Sequence, residues 1–205
     1  TKFFIFLIFC ISCIALCEQS SFPFSLPGDD LWPNINDLLQ LQRILKGKLY
    51  SERSYIPKLF TYHNGPPVPS FALIPEEVED IAKGIEFSKK HNLRITVSST
   101  GHHQDHRNIA DYSFHFDLSK LKQIEIDIEN KSLTVQTGLT LGEISSYVNE
   151  QSKGALVSLT GSCSGVGVYG WTTGGGHGPL SRLYGLGVDT LISLEMINSE
   201  GEQIF

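Results

Sequence analysis

The sequence predicts an α+β chain, a small strand–helix–strand unit followed by a larger mixed one. Three observations carry this. A strand–helix–strand pattern runs from Phe71 to Ser98, strands with period-two alternation follow between Phe114 and Thr137, and a glycine-rich stretch over residues 161–187 precedes a final hairpin.

Taken in order, residues 18–34 contain Pro23, Pro27, Gly28 and Pro33 and read as an extended leader. Ile35, Leu38, Leu39, Leu41 and Leu45 stand near helical spacing, which predicts a helix over Asn36–Lys46 with Gly47 as its terminator. Asn64-Gly65-Pro66-Pro67 and Pro69 mark a linker, so the main domain is expected over 67–205, behind a leader of residues 18–66. Phe71–Ile74 is a strand, and Pro75 is expected to open a helix whose apolar face is Val78, Ile81, Ala82 and Ile85. Glu76, Glu77, Glu79 and Asp80 suit the positive end of that helix, and the next strand covers Arg94–Ser98. Phe114, Phe116 and Leu118 alternate with His115 and Asp117; Ile124, Ile126 and Ile128 alternate with Glu125 and Asp127; Leu133, Val135 and Thr137 alternate with Thr134 and Gln136. Asn130-Lys131 supplies a turn between the last two. Thr140 and Glu143 have capping-box spacing for a helix over Leu141–Gln151, and Ala155–Leu159 reads as a further strand. Asp189–Phe205 reads as a strand, a turn at Ser199-Glu200-Gly201 and the start of a second strand.

With 40% hydrophobic and 19% charged residues, the chain is globular and not disordered. A net charge of −6 with no basic face argues against a nucleic-acid partner. Lys2 is followed by an apolar run, Phe3–Cys17, broken only by Ser12. The run is shorter than the roughly 20 residues of a membrane span. A charged start, an apolar core and small residues at Ala15 and Cys17 read as a secretory signal over residues 1–17. The protein is then expected in the secretory lumen or outside the cell, with no stable membrane insertion after signal removal; an uncleaved anchor is the alternative. A first residue of Thr and a chain that stops inside the last hairpin give the expectation of a fragment of a longer protein. Three of the four cysteines lie in the signal, which leaves Cys163 alone.

Ten of the nineteen glycines fall in residues 161–187. Such density implies left-handed backbone or backbone laid directly against a ligand, with exposed N–H groups suited to phosphate. Gly165-Val166-Gly167-Val168-Tyr169-Gly170 is a literal GxGxxG, but no strand precedes it directly and Gly174-Gly175-Gly176 would break the helix that a dinucleotide fold needs. Gly161-Ser162-Cys163-Ser164-Gly165 matches a nucleophile elbow with cysteine in the serine place, the pattern of a cysteine-nucleophile α/β-hydrolase. A second segment, Ser98-Ser99-Thr100-Gly101-His102-His103, leaves a strand through a glycine turn, a common setting for ligand sites. His102, His103, Asp105 and His106 form a candidate metal cluster, although neighbouring histidines on a strand face opposite ways. No metal is expected.

Together these residues resemble a known family. Ser98-Ser99-Thr100-Gly101-His102 is similar to the arginine-serine-glycine-glycine-histidine flavin loop of FAD-linked oxidases, and residues 163–189 resemble the second flavin segment of the berberine bridge enzyme-like group. That group belongs to the vanillyl-alcohol oxidase and p-cresol methylhydroxylase superfamily. Asp117-Leu118-Ser119, Gly138 and Leu141-Gly142-Glu143 fit the same pattern, and the likeness runs from about Pro67 to Phe205. The resemblance implies a PCMH-type FAD-binding domain with two α/β subdomains, truncated at its C-terminus, and FAD as cofactor. It implies covalent flavin bonds at His102 and Cys163, a flavin and pyrophosphate wall from Ser99, Thr100, Gly101 and His103, and an opposing wall from Gly161, Gly165, Val166, Gly170 and Trp171. The implied activity is oxidation of an alcohol, sugar or related small molecule with molecular oxygen as acceptor, the catalytic base lying outside this sequence. A secreted flavin-binding protein without catalysis is the second functional class. Ser98 and Thr100 depart from the family's arginine and glycine, and His103 follows the tether position.

Overall fold

A computed structural model describes residues 2–8, 23–51, 54–57, 67–103 and 107–205, the first of these as backbone course only. Most of the expected signal (9–17), the core of the expected linker (61–66), and Asp105 and His106 of the metal hypothesis lie outside the described residues.

The described course opens with β1 (Lys2–Ile8), a strand where the sequence predicts a secretory signal. Helix α1 (Ile35–Ile44) is capped by Asn34, whose side chain accepts from Asn36 and Asp37 N–H while Asp37 answers to the Asn34 N–H. It ends before Leu45, which is extended, so Gly47 is not its terminator. Gly47 instead runs close beneath the next strand pair: a methyl there would fall on the Ile74 carbonyl oxygen and lie 2.8 Å from the Pro75 Cα. Strand β2 (Lys48–Ser51), unforeseen in the leader, pairs antiparallel with β3 (Phe71–Ile74). Helix α2 (Val78–Lys90) starts three residues after Pro75, because the Asp80 carboxylate takes the Glu76 N–H and keeps Pro75-Glu76 outside the helix. Strand β4 (Ile95–Ser98) and strand β5 (Phe114–Asp117) complete a sheet of order β2-β3-β5-β4, with β5 parallel to both neighbours.

Ile81 and Ile85 of α2 pack on Leu73, Phe114 and Phe116, and Leu41 and Leu45 join them from the α1 side, so the leader is built into this core. Gly84 lets the helix approach: a Cβ there would stand 2.7 Å from the Phe116 ring and 2.9 Å from Leu73. Period-two alternation on β5 suggests one wet face. All four of its residues are buried, His115 and Asp117 included.

The second unit contains β6 (Ile124–Asp127) and β7 (Ser132–Val135), an antiparallel pair whose turn takes Lys131 through φ 53°. Helix α3 (Leu141–Gln151) carries the expected Thr140/Glu143 capping box. Residues 156–160 form no strand, against the expectation for Ala155–Leu159; Ala155 bends back to the C-cap instead, donating to the Ser152 carbonyl at 3.0 Å. Short helices α4 (Val168–Thr173) and α5 (Ser181–Tyr184) interrupt the glycine-rich stretch, and β8 (Leu191–Ile197) with β9 (Gln203–Ile204) forms the predicted hairpin. The sheet order is β6-β7-β1-β8-β9, with β1 parallel to β7 and β8 on either side. Leu133, Val135, Leu141, Ile144, Val148 and Val168 form its core, while Ile197 at the end of β8 packs into the core of the first unit. No helix among the described residues is long and apolar enough to cross a membrane.

Candidate functional site

Two loops distant in sequence meet between the units. The first leaves β4 at Ser98 and turns at Gly101, whose φ of 77° suits glycine. The second enters α4 from residues 164–167. Both hang on one segment ahead of α3. The Ser99 hydroxyl donates to the Thr137 carbonyl, and Val168 N–H donates to the Leu139 carbonyl at 3.0 Å. Leu141 and Gly142 N–H donate to Val166 and Ser164 carbonyls at 2.8 and 2.9 Å. Residues 137–142 therefore strap the two loops together, and the α3 capping box fixes the strap.

At the meeting point the chains nearly touch. A Cβ on Gly167 would lie 2.8 Å from Ser99 Oγ and 2.9 Å from Thr100 Oγ1, and one on Gly165 would lie 3.0 Å from His102 Nε2. Between the loops opens a cavity of about 320 Å³, within the roughly 300–1,000 Å³ of small-ligand sites. Ser99, Thr100, Gly101, His102 and His103 line one side of it, and Val166, Gly170 and Trp171 line the other.

The remaining sequence-predicted residues stand behind this lining. Gly165 backs His102, as above. Gly161 backs the Trp171 indole, whose N–H donates to the His177 carbonyl at 2.9 Å. Cys163 is exposed and lies outside the cavity lining. It also sits five residues ahead of α4, so the sharp strand–turn–helix of a nucleophile elbow is not formed around it.

Sequence reasoning missed Asn108, Gly167 and Tyr169, which also line the cavity. Gly167 and Tyr169 sit inside a motif already singled out, and only their direction was hidden. Nothing in the sequence marks Asn108, yet its Oδ1 is buried and without a hydrogen-bond partner among the described residues. A buried amide oxygen left this way is costly unless something donates to it.

Among the described residues, no carboxylate, lysine or arginine lines the cavity. Partial burial lowers the pKa of His102, so the imidazole is neutral at pH 7 and keeps a lone pair. The Ser99 hydroxyl proton is already committed to Thr137. Thr100 Oγ1 and the Thr100 and Gly101 N–H groups have no partner among the described residues. The site thus offers a hydroxyl, two peptide donors, one orphaned acceptor and an imidazole, with the aromatic side chains of Tyr169 and Trp171 in the same lining.

The family model for FAD binding domains matches residues 69–205. Berberine bridge enzyme-like 8 of Arabidopsis thaliana is 35% identical over 140 residues, covering 66% of this chain and 26% of that protein. Tetrahydroberberine oxidase of Argemone mexicana is 32% identical over 145 residues, covering 70% and 27%. The chain therefore spans about a quarter of the length of these curated relatives. Among solved structures, a VAO-type flavoprotein of Myceliophthora thermophila superposes with a TM-score of 0.73 at 21% identity, over 89% of this chain and 43% of that one. BBE-like 28 of Arabidopsis thaliana gives 0.72 at 24%, over 82% and 36%. These likenesses show the PCMH-type, two-subdomain α/β fold expected from the sequence. By the match over its last two thirds, the chain belongs to the family of FAD binding domains, with berberine bridge enzyme-like proteins among its relatives and FAD as the family's cofactor.

Proposed function

We propose that this chain is the cofactor-holding part of a secreted FAD-dependent oxidoreductase of the oxidase type, with FAD tethered at His102. The observation that carries the reading is the convergence of two glycine-bearing loops, some sixty residues apart in sequence, on one cavity with His102 in its wall. The residues fit the group. Thr100 Oγ1 and the Thr100 and Gly101 N–H groups suit phosphate oxygens. The orphaned Asn108 Oδ1 accepts from an N–H or O–H of the cofactor. Tyr169 and Trp171 offer aromatic surface to a flat ring. Neutral His102 keeps the nucleophilic lone pair that a covalent bond requires. Ser99, His103, Gly161, Gly165, Val166 and Gly170 shape these walls. Cys163 is proposed as a second tether on its motif alone.

Bound FAD supplies the hydride acceptor of the reaction; the chain's own work is to hold it and to keep water from its walls. The substrate is proposed to be an alcohol, sugar or related small molecule, with oxygen as electron acceptor. One structural neighbour is a variant described as a glucose oxidase and another is one described as a glucose dehydrogenase, which supports a sugar or related alcohol as substrate. Residues 1–17 are proposed as the leader for export.

The complete protein, precipitated with acid, is expected to carry yellow fluorescence into the pellet; His102→Ala alone is expected to retain flavin through Cys163, and the His102→Ala/Cys163→Ala double variant to release it to the supernatant. Peptide mass spectrometry should then find flavin mass on the peptide holding His102. Flavin that stays in the pellet of the double variant would refute both tethers. Peroxide release on alcohol and sugar panels checks the oxidase assignment.

Gly170 gives a sharper test of where the cofactor lies. It sits in α4 and lines the cavity, and a methyl there would meet nothing within 4 Å. Gly170→Ala therefore harms no packing and removes a helix penalty of roughly 0.5–1 kcal/mol. Its methyl occupies ligand space. The expected result is an unchanged or higher urea midpoint together with FAD affinity about tenfold weaker. Equal affinity in the variant would place the cofactor elsewhere.

A further inference from the structure

Beneath the first wall runs a chain of buried polar side chains that the cofactor reading does not use. His115 on β5 is 1% exposed. Its Nδ1 lies 3.0 Å from Thr96 Oγ1 and its Nε2 lies 2.9 Å from Ser98 Oγ. Thr96 Oγ1 is in turn 2.9 Å from Ser113 Oγ, and the Ser113 hydroxyl donates to the Ala110 carbonyl at 2.7 Å.

Counting protons gives this chain one direction. A hydroxyl has one proton, and Ser113 has spent its own on a carbonyl. Thr96 must then donate to Ser113, so Thr96 can only accept from Nδ1–H. Burial lowers the pKa of His115 to about 4, against a smaller opposing pull from Asp117, so the imidazole is neutral near pH 7 and carries a single N–H. Nε2 is left bare and the Ser98 hydroxyl donates to it. The neighbouring groups do not compete. The Tyr55 hydroxyl donates to Asp117 Oδ2 at 2.9 Å, and Asp117 Oδ1 accepts from Ser119 N–H at 3.0 Å.

Ser98 is the last residue of β4 and lines the cavity, and its carbonyl accepts from Leu118 N–H at 2.9 Å. Its side chain and backbone are thus both pinned to β5 and its continuation, one residue before the loop that ends at His102. With its proton turned inward, Ser98 shows the cavity lone pairs only. It repels phosphate oxygen and welcomes an N–H or O–H.

Resting on the FAD reading above, we propose that His115 is a positioning residue for the cofactor. Held as the Nδ1–H tautomer, it fixes Ser98 as an inward donor, and so sets the root of the 99–102 wall and the acceptor character of the cavity beside it.

The test uses the complete protein in two arms. The first labels histidine with ¹⁵N and reads the tautomer by NMR, with or without FAD. His115 is expected to show a protonated Nδ1 and a bare Nε2, and Ser98→Ala is expected to shift Nε2 and leave Nδ1 protonated. An Nε2–H tautomer overturns the proposal. The second arm measures FAD affinity and the visible circular dichroism of the bound flavin. The amide of Asn reaches the Nδ1 position and that of Gln reaches the Nε2 position. Ser98→Ala and His115→Asn are expected to weaken FAD about tenfold and to alter the dichroism, while His115→Gln stays within about threefold of wild type. Equal losses in His115→Asn and His115→Gln, tracking their unfolding midpoints, would mean a role in packing only and overturn the proposal. So would wild-type affinity in Ser98→Ala, the mildest of these changes. A wild type that takes up no FAD overturns the functional reading and the cofactor role with it, whereas a FAD-binding wild type indifferent to all three substitutions overturns the positioning role alone.

Discussion

Asp80→Ala is expected to destabilise the complete protein by about 3–5 kcal/mol, a large share of a domain's stability. The Asp80 side chain is fully buried and accepts three backbone hydrogen bonds: from Lys46 N–H at 3.0 Å, Gly47 N–H at 2.8 Å and Glu76 N–H at 3.1 Å. These donors belong to the α1–β2 connection and to the entry of α2, so one carboxylate joins the leader helix to the first sheet. Alanine leaves all three donors without an acceptor. Asp80→Asn keeps one carbonyl oxygen and is expected to lose about half as much. Burial pushes the Asp80 carboxyl up, but the three N–H bonds and Lys83 at 3.6 Å outweigh it and hold the group below the usual carboxylate range. A carboxyl lowered in the folded state stabilises above its unfolded pKa, near 4, and loses that contribution as pH falls through the folded value. Urea unfolding at pH 7 and near pH 3 measures both effects. A wild-type midpoint for Asp80→Ala at pH 7 would show that the leader is not held this way.

Gly167→Val should have the largest effect on cofactor binding of any single wall substitution. Its Cβ would press 2.8 Å from Ser99 Oγ, 2.9 Å from Thr100 Oγ1 and 3.1 Å from Thr100 Cγ2, where the two loops meet. The strap at 137–142 prevents both loops from retreating together, so the cavity must deform. Overpacking of this kind costs roughly 1–3 kcal/mol of stability. FAD affinity is expected to fall by at least about a hundredfold, near 2.7 kcal/mol. Gly170→Ala is the control, since there the added methyl meets ligand space and not protein. Fluorescence titration with FAD separates the two, and similar affinities for both variants would sink the two-wall description.

Much of the fold was legible because the local pattern and the tertiary outcome agree. The β3–α2–β4 unit, the β6–β7 turn at Asn130-Lys131 and the Thr140/Glu143 capping box all form as their residues predict. The misses share a cause, which is that contacts from far along the chain overrode local signals. Gly47 reads as a helix stop but serves a close approach to β3, and Pro75 reads as a helix start but is held out by Asp80. On β5, His115 and Asp117 occupy positions that alternation assigns to solvent, yet hydroxyls from β4 and the Tyr55 side chain satisfy them in the interior. Ser98, a departure from the flavin-loop pattern, gains a physical account in that pairing. At the site, two glycine-bearing motifs marked most of the residues that line the cavity, while their convergence depends on a strap no motif marks. Asn108 escaped notice because an orphaned amide oxygen is a property of three-dimensional surroundings.

Strand β1 is the central strand of the second sheet, with β7 and β8 as its neighbours. Pairing with β7 on one flank and β8 on the other, Lys2–Ile8 satisfies peptide groups on both. A protease that trims the amino terminus would leave β7 and β8 about 9–10 Å apart, facing each other across a groove one peptide wide. Such a groove, lined on both banks by hungry amides and carbonyls, admits an extended polypeptide and little else.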